Sequence, residues 1–196
     1  GNHFNVDGHK TVASAIRELI AQHSIKRSNN VNPWERHDQC DSWYLDGKAD
    51  KIKHSPDMKM HEWAGGQKHA LEVNPGGSWF IVTNPTLNDM KLYVYYMASA
   101  PAQEYATTIV SAERVAENLS SKLACEKEIK PIIVHKIFPG VKSLHLVEGM
   151  YIGTIGPGTY RINLKPTTGP VKGQNPFRVT GIALTETDGG VEVWFG

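Results

Sequence analysis

A histidine pattern near the start of the chain has clear potential for chemistry. His3, Asn5 and Gly8 form the pattern His-x-Asn-x-x-Gly. An imidazole exchanges protons near neutral pH, so a histidine at a defined spacing is a candidate for proton transfer. The alternative is a histidine that precedes a helix and has no chemical role. The pattern leads directly into apolar residues at helical spacing, which predict a terminal helix: Val12, Ile16, Leu19 and Ile20.

This block resembles the last block of the SGNH/GDSL hydrolase family, which supplies the catalytic histidine just before the final helix of an α/β/α domain. The resemblance implies that His3 is the general base for a serine nucleophile, and that Asn5 and Gly8 shape the entry to the helix. The family's usual aspartate, three residues before the histidine, would lie immediately before Gly1. Residues 1–27 are therefore expected to be the C-terminal remnant of an SGNH-like domain.

The other catalytic parts of that family do not occur in this sequence. Its serine nucleophile and its oxyanion-hole residues lie upstream of the histidine block, and neither Gly-x-Ser-x-Gly nor Gly-Asp-Ser is found in the 196 residues. A base that lacks a nucleophile and oxyanion donors has nothing to activate. We therefore expect this chain alone to be inactive, although the resemblance implies a parent serine esterase.

Aromatic residues concentrated before residue 100 form a second candidate site. Tyr93 and Tyr95 lie two residues apart in a predicted strand and so share one face. An exposed aromatic ring can stack on the apolar C–H face of a sugar while nearby polar side chains bind its hydroxyls. The alternative is that these rings fill the core, where they contribute much burial energy. The candidate carbohydrate-binding residues are Trp43, Trp63, Tyr93 and Tyr95.

A third group contains potential metal ligands. His54 and His61 have Asp57 and Glu62 nearby, but their spacing matches no familiar metal site. A solvated loop is the favoured interpretation, and no metal or cofactor is expected.

The composition excludes several classes of partner. Lys and Arg number 21 against 20 Asp and Glu, which leaves a net charge of +1 and no basic excess for nucleic acid. No run approaches the roughly 18 apolar residues of a membrane span. Cys40 and Cys125 fit neither a metal spacing nor a redox pair. A single disulfide remains an alternative to two free thiols, which we favour.

The remaining elements are predicted mainly as strands. Residues 28–70 are expected to be a linker and an irregular region with short strands such as Ser42–Leu45. Helical spacing returns over Ser111–Glu126, which predicts one helical insertion at about 111–127. The other segments alternate with period two and are separated by Gly and Asn-Pro turns. They are Trp79–Thr83, Lys91–Met97, Tyr105–Val110, Ile132–Phe138, Ser143–Val147, Met150–Ile155, Thr159–Leu164, Phe177–Thr185 and Val191–Phe195.

Many short strands at regular spacing favour a mainly β fold, with an antiparallel β-sandwich or jelly-roll-like domain over residues 71–196. An esterase remnant followed by a β-sandwich resembles a phage tailspike or tail fibre, in which an SGNH module deacetylates surface polysaccharide. The β-domain would then bind glycan, form a homotrimer, or do both. A secreted bacterial carbohydrate esterase with an accessory carbohydrate-binding module is the alternative, and a purely structural oligomerisation domain is another.

These interpretations imply particular partners and a location. The expected partners are a surface polysaccharide or other glycan, the upstream catalytic domain and two further copies of the chain. The expected location is the virion tail or the extracellular space. Neither nucleic acid nor membrane insertion is expected.

Overall fold

The computed structural model describes residues 38–100, 105–115, 122–133, 146–167 and 174–186. The chain divides into two units, Gly1–Arg36 and His37–Gly196, and every described residue belongs to the second. Among these residues there is no helix with the length and apolar character needed to cross a membrane.

The described residues form strands and no helix. The strands are β1 (Gln39–Ser42), β2 (Lys53–His54), β3 (Lys59–Trp63), β4 (Lys68–Glu72), β5 (Ser78–Asn84), β6 (Met90–Ala100), β7 (Thr108–Arg114), β8 (Leu123–Ile129), β9 (Ile132–Ile133), β10 (Leu146–Ile155), β11 (Gly158–Pro166) and β12 (Arg178–Glu186).

The strands are arranged in two sheets. A seven-stranded sheet has the order β10-β6-β12-β4-β3, with β1 paired to β12 and β9 paired to β6. A five-stranded sheet has the order β2-β5-β11-β7-β8. All strand pairs are antiparallel apart from β6 with β9.

One hydrophobic cluster contains residues from both sheets. Phe80 and Ile162 from the five-stranded sheet and Leu92 and Val94 from the seven-stranded sheet are fully buried in it. In β5, β6 and β11 alternate residues point into this cluster, because side chains along a strand alternate between its two faces. Sheets that share a core in this way form a β-sandwich. The predicted mainly β, antiparallel fold is confirmed.

The predicted helical insertion is wrong where the structure describes it, since Thr108–Arg114 and Leu123–Ile129 are strands. Val110 and Ala112 are fully buried at a spacing of two, and β7 pairs with β11 on one side and β8 on the other. Leu123, which a helix would have buried, is 51% exposed. Strand pairing here outweighs the helix-favouring composition of the segment, as tertiary context commonly does.

The other element predictions have mixed outcomes. The strands expected around residues 79–83, 91–97, 159–164 and 177–185 correspond to β5, β6, β11 and β12. Within the region expected to be irregular, residues 38–70 contribute β1 to β3 and the first three residues of β4 to the sheets. The terminal helix, His3 and the strand at 191–195 lie outside the described residues.

Trp43 is central to the core, and its loss should be costly. Its indole is fully buried, stacks on Phe80 at 5.6 Å and donates Nε1–H to the carbonyl of Val179 at 2.7 Å. We expect Trp43→Ala to lower the free energy of unfolding by about 3–5 kcal/mol, because it leaves a large cavity and an unpaired carbonyl. Thermal and urea unfolding measure this.

The matched variant is Trp43→Phe, which keeps a ring against Phe80 and should be clearly less destabilising. If Trp43→Ala retained the wild-type stability, the core assignment of this residue would be wrong.

Candidate functional site

A buried arginine begins the last described strand. Arg178 is the first residue of β12, and its side chain is 11% exposed. A buried cation needs a partner, because leaving it unpaired costs several kcal/mol. Arg178 Nε and Nη2 both donate to Oε1 of Glu72, at 3.0 and 2.7 Å. Its Nη1 donates to the hydroxyl of Tyr105 at 3.4 Å.

Glu72 links this arginine to the edge strand of the sheet. Glu72 ends β4, where its register partners are Arg178 on β12 and Lys59 on β3. Nδ1 of His61, on β3, lies 3.2 Å from the same Oε1. All three of these contacts of Glu72 are to Oε1, and Oε2 has no partner among the described residues.

Aromatic rings continue from His61 along the outer face of the seven-stranded sheet. The imidazole of His61 lies 5.8 Å from the ring of Trp63, and Trp63 meets Tyr44 edge-on at 5.9 Å. Nζ of Lys68 lies 5.7 Å from the centre of the Tyr44 ring. The outer face thus carries a strip of half-buried and buried rings, of which the first, His61, lies beside Glu72. We call His61, Trp63 and Tyr44 the aromatic strip.

The turn between β3 and β4 places this strip. Ala64, Gly65 and Gly66 have φ values of 55°, 69° and 81°, so three consecutive residues adopt the left-handed region. Glycine adopts this region without strain, which explains the Gly-Gly pair. The turn brings Trp63 opposite Lys68 and His61 opposite Ala70.

A cleft of about 340 Å³ opens beside Glu72. We call it the Glu72 cleft. Its apolar lining comes from valine, alanine, proline and phenylalanine residues, which are Val73, Pro75, Ala106, Pro166, Pro176 and Phe177. Its polar lining consists of Asp57, Lys59, Glu72, Asn74, Gln174 and Asn175. A concave, largely apolar surface with a few convergent polar groups is typical of a ligand site.

Backbone hydrogen bonds hold the walls of the cleft. Val73 N donates to Phe177 O at 2.8 Å, and Ala106 N donates to Asn175 O at 2.9 Å. In the turn after β4, Gly77 N donates to Asn74 O at 2.8 Å. Gly77 has a φ of 99°, and a Cβ there would lie 3.3 Å from the carbonyl oxygen of Leu164. Backbone hydrogen bonds thus join the segments that form the cleft.

The four aromatic residues selected from the sequence lie in different environments. Trp43 is a core residue, as described above, and presents no ring face to a ligand. Trp63 is half-buried in the aromatic strip. Tyr93 is half-buried and packs on Tyr151 at 5.6 Å, while Tyr95 is only 5% exposed.

Tyr95 is buried although it points away from the core between the sheets. A Cβ at Gly149 would meet its ring at 2.5 Å, so the absence of a side chain at Gly149 is what admits the ring. Tyr93 and Tyr95 share a face, as their spacing predicts. Met97 on the same strand belongs to a second hydrophobic cluster, which Trp63 packs against: Tyr44, Ala70, Met97, Tyr105 and Val147.

Sequence reasoning missed Glu72 and Arg178. A usable signal was present, because Arg178 is a single cation at the start of the apolar run Phe177–Thr185. Such a residue requires a buried acidic partner. The sequence could not identify that partner, since Glu72 lies 106 positions away.

The candidate metal ligands are not gathered around one point. Nδ1 of His54 lies 2.9 Å from Ser55 O, whereas His61 faces Glu72. Among the residues that the structure describes, no three His, Cys, Asp or Glu side chains are placed to hold a metal ion. Cys40 and Cys125 are both free thiols, and burial raises the pKa of each.

No protein-family model and no curated protein matches the chain. Solved structures do resemble it. A CBM6 module from Clostridium stercorarium in complex with cellobiose is 15% identical, over 76% of this chain and 94% of that chain, with a TM-score of 0.41. The C-terminal CBM6 module of a laminarinase from Zobellia galactanivorans is 12% identical, over 76% and 99%, with a TM-score of 0.42.

A third structure is the K1 cleaved adhesin domain of Lys-gingipain from Porphyromonas gingivalis. It is 13% identical, over 78% of this chain and 99% of that chain, with a TM-score of 0.48. None of the three is named as an SGNH hydrolase or a tailspike.

The surroundings of His61 lead to a pH prediction. Partial burial and the nearby Arg178 charge lower the pKa of His61 below its ordinary 6.5, and Glu72 opposes them. The folded chain therefore favours the neutral form of the His61 imidazole. The contribution of His61 to the free energy of unfolding is present above pH 6.5 and is lost as the pH falls from 6.5 through the lowered pKa. We expect an NMR titration midpoint for His61 below 6.5, and a lower one still in Glu72→Gln.

The matched control is Glu62→Gln, which removes a carboxylate from the same strand but not from the contacts of His61. It should leave the His61 midpoint unchanged. A midpoint that rose in Glu72→Gln would contradict the geometry.

Proposed function

We propose that the Glu72 cleft and the aromatic strip bind a polysaccharide chain without altering it chemically. The observation that carries the proposal is the position of Glu72. Its carboxylate is fixed by Arg178 through Oε1, it lines the cleft, and the rings of His61 and Trp63 continue from it. A sugar ring needs this combination of apolar surface and fixed hydrogen-bonding groups.

The chemistry of the cleft suits hydroxyl groups. Oε2 of Glu72 and the carboxylate of Asp57 can accept hydrogen bonds, and Lys59 can donate. The side-chain amides of Asn74 and Asn175 can do both. Hydrogen bonds to charged groups are stronger than neutral ones and contribute about 1.5–3 kcal/mol each. Because Arg178 holds Glu72 in place, little conformational freedom is lost when a ligand binds.

The wider setting stays a prediction from the sequence. His3, Asn5 and Gly8 lie outside the described residues, and their resemblance to an SGNH block favours a parent polysaccharide O-deacetylase. A phage tailspike or tail fibre is the preferred setting, and a secreted bacterial carbohydrate esterase is the alternative. Homotrimer formation and location in the virion tail or outside the cell stay predictions as well.

Glycan binding can be tested with cello-, xylo-, manno- and laminari-oligosaccharides by isothermal titration calorimetry. We expect at least one series to bind. Glu72→Gln should weaken binding roughly tenfold, because a charged acceptor is replaced by an amide and each tenfold corresponds to about 1.4 kcal/mol. Trp63→Ala should weaken it by a similar factor through loss of ring contact.

Two variants serve as controls. Glu62→Gln removes an exposed carboxylate from β3, and Tyr151→Ala removes a 43% exposed ring from β10. Both should bind within twofold of the wild type. Melting temperatures establish that each variant is folded. The proposal fails if no series binds, or if Glu72→Gln and Trp63→Ala bind as the wild type does.

The expected lack of esterase activity can be tested with a fluorophosphonate probe. Because the chain contains neither of the serine motifs sought above, we expect no labelling under conditions that label an active serine esterase. Labelling of the wild type that disappeared in His3→Ala would show that the chain holds a complete catalytic site and would contradict this expectation.

A further inference from the structure

The outer face of the five-stranded sheet carries a tryptophan and an arginine in contact. Phe80, Tyr160 and Ile162 point into the core, so their neighbours along β5 and β11 point outward. The register places Trp79 opposite Asn163, Ile81 opposite Arg161, and Thr83 opposite Thr159. We call these six residues the Trp79 face.

Arg161 is held against the indole of Trp79. Its guanidinium carbon lies 5.0 Å from the centre of that ring, within the range of a cation–π contact. Arg161 is exposed and Trp79 is half-buried. The guanidinium therefore lies on a fixed aromatic surface while remaining open to solvent.

Arg161 differs from the other two arginines that the structure describes. Arg178 is bonded to Glu72 and Tyr105, and Arg114 donates to the carbonyl of Pro157 at 3.0 Å. Arg161 forms no hydrogen bond or ion pair within the described part of the chain, where its guanidinium lies over the Trp79 ring. Its N–H groups remain available in a fork that matches a carboxylate.

The rest of the Trp79 face adds groups that suit a sugar. The hydroxyls of Thr83 and Thr159 lie 3.1 Å apart on one side of Arg161, and the amide of Asn163 lies beside Trp79 on the other. Lys53 on β2 is exposed and is the other register partner of Ile81. Ile81 therefore lies between Arg161 and a second cation, Lys53. On its other side β11 pairs with β7, which places Glu113 opposite Arg161, although the two side chains form no ion pair. The face thus combines an apolar ring and uncharged polar groups with two cations and the carboxylate of Glu113.

We propose that the Trp79 face is a second glycan site that takes a carboxylate-bearing sugar, with Arg161 binding the carboxylate. This proposal does not depend on the Glu72 cleft. An acidic peptide would satisfy the positive charge, but the hydroxyl pair, the amide and the ring surface favour a hydroxylated sugar. Carboxylate binding at an exposed face weakens as salt is added.

The test compares polygalacturonate with its fully methyl-esterified form, which has the same backbone without the charges. The wild-type chain should bind polygalacturonate at least tenfold more tightly. Arg161→Gln should abolish that preference, Arg161→Lys should reduce it because the planar fork is lost, and Trp79→Ala should weaken binding several-fold. Raising the salt concentration should weaken binding of the wild type.

Lys91→Gln, which removes a cation from β6 in the other sheet, is the matched control and should bind as the wild type does. Glu72→Gln should also retain polygalacturonate binding, which separates this site from the cleft. Equal binding of the two polymers, or an unaltered preference in Arg161→Gln, would overturn the proposal. Binding of polyglutamate as tight as that of polygalacturonate would show that the Trp79 face recognises negative charge and not the sugar. This result would overturn the proposal too.

Discussion

The burial of one guanidinium determines how the side of this sandwich that carries the proposed site is built. Arg178 begins an apolar strand and is 11% exposed, so its charge requires compensation within the protein. Glu72 supplies it from β4, and the hydroxyl of Tyr105 supplies a further acceptor. Because the same carboxylate faces His61 and lines the cleft, one ion pair connects three strands with the proposed site. Removing either partner would leave a charge without compensation.

A second constraint comes from the outer face of the seven-stranded sheet. Tyr44, Met97 and Tyr105 form a small hydrophobic cluster there, separate from the core between the sheets. Tyr95, which also points away from the main core, is buried because its ring lies against Gly149. Strand alternation correctly predicts which residues share a face. It does not predict which of the two faces is open to solvent, because that depends on residues far away in the sequence.

The same distinction explains how much of the structure the sequence could predict. In β5, β6 and β11 the residues alternate between the core and the outer face. The local pattern there favours the same strands as the pairing with neighbouring strands does. In β7 the local composition favours a helix, while pairing with β8 and β11 favours a strand, and pairing prevails. The cleft depends on Glu72 and Arg178, 106 positions apart, and no local pattern joins them.

Arg161 and Arg178 show why residue type alone does not locate a site. Both lie in strands of a sandwich, and both contact an aromatic ring, at 5.0 and 5.5 Å. Each has a glutamate as a register partner, Glu72 for Arg178 and Glu113 for Arg161. Glu72 forms an ion pair with Arg178, whereas Arg161 forms none with Glu113 and lies against the indole of Trp79. Arg178 therefore uses its donors to position an acceptor, whereas the donors of Arg161 are bonded to no described residue. The two faces consequently differ in the hydrogen-bonding groups that they offer, an acceptor at Glu72 and donors at Arg161, although the same residue type lies at the centre of each.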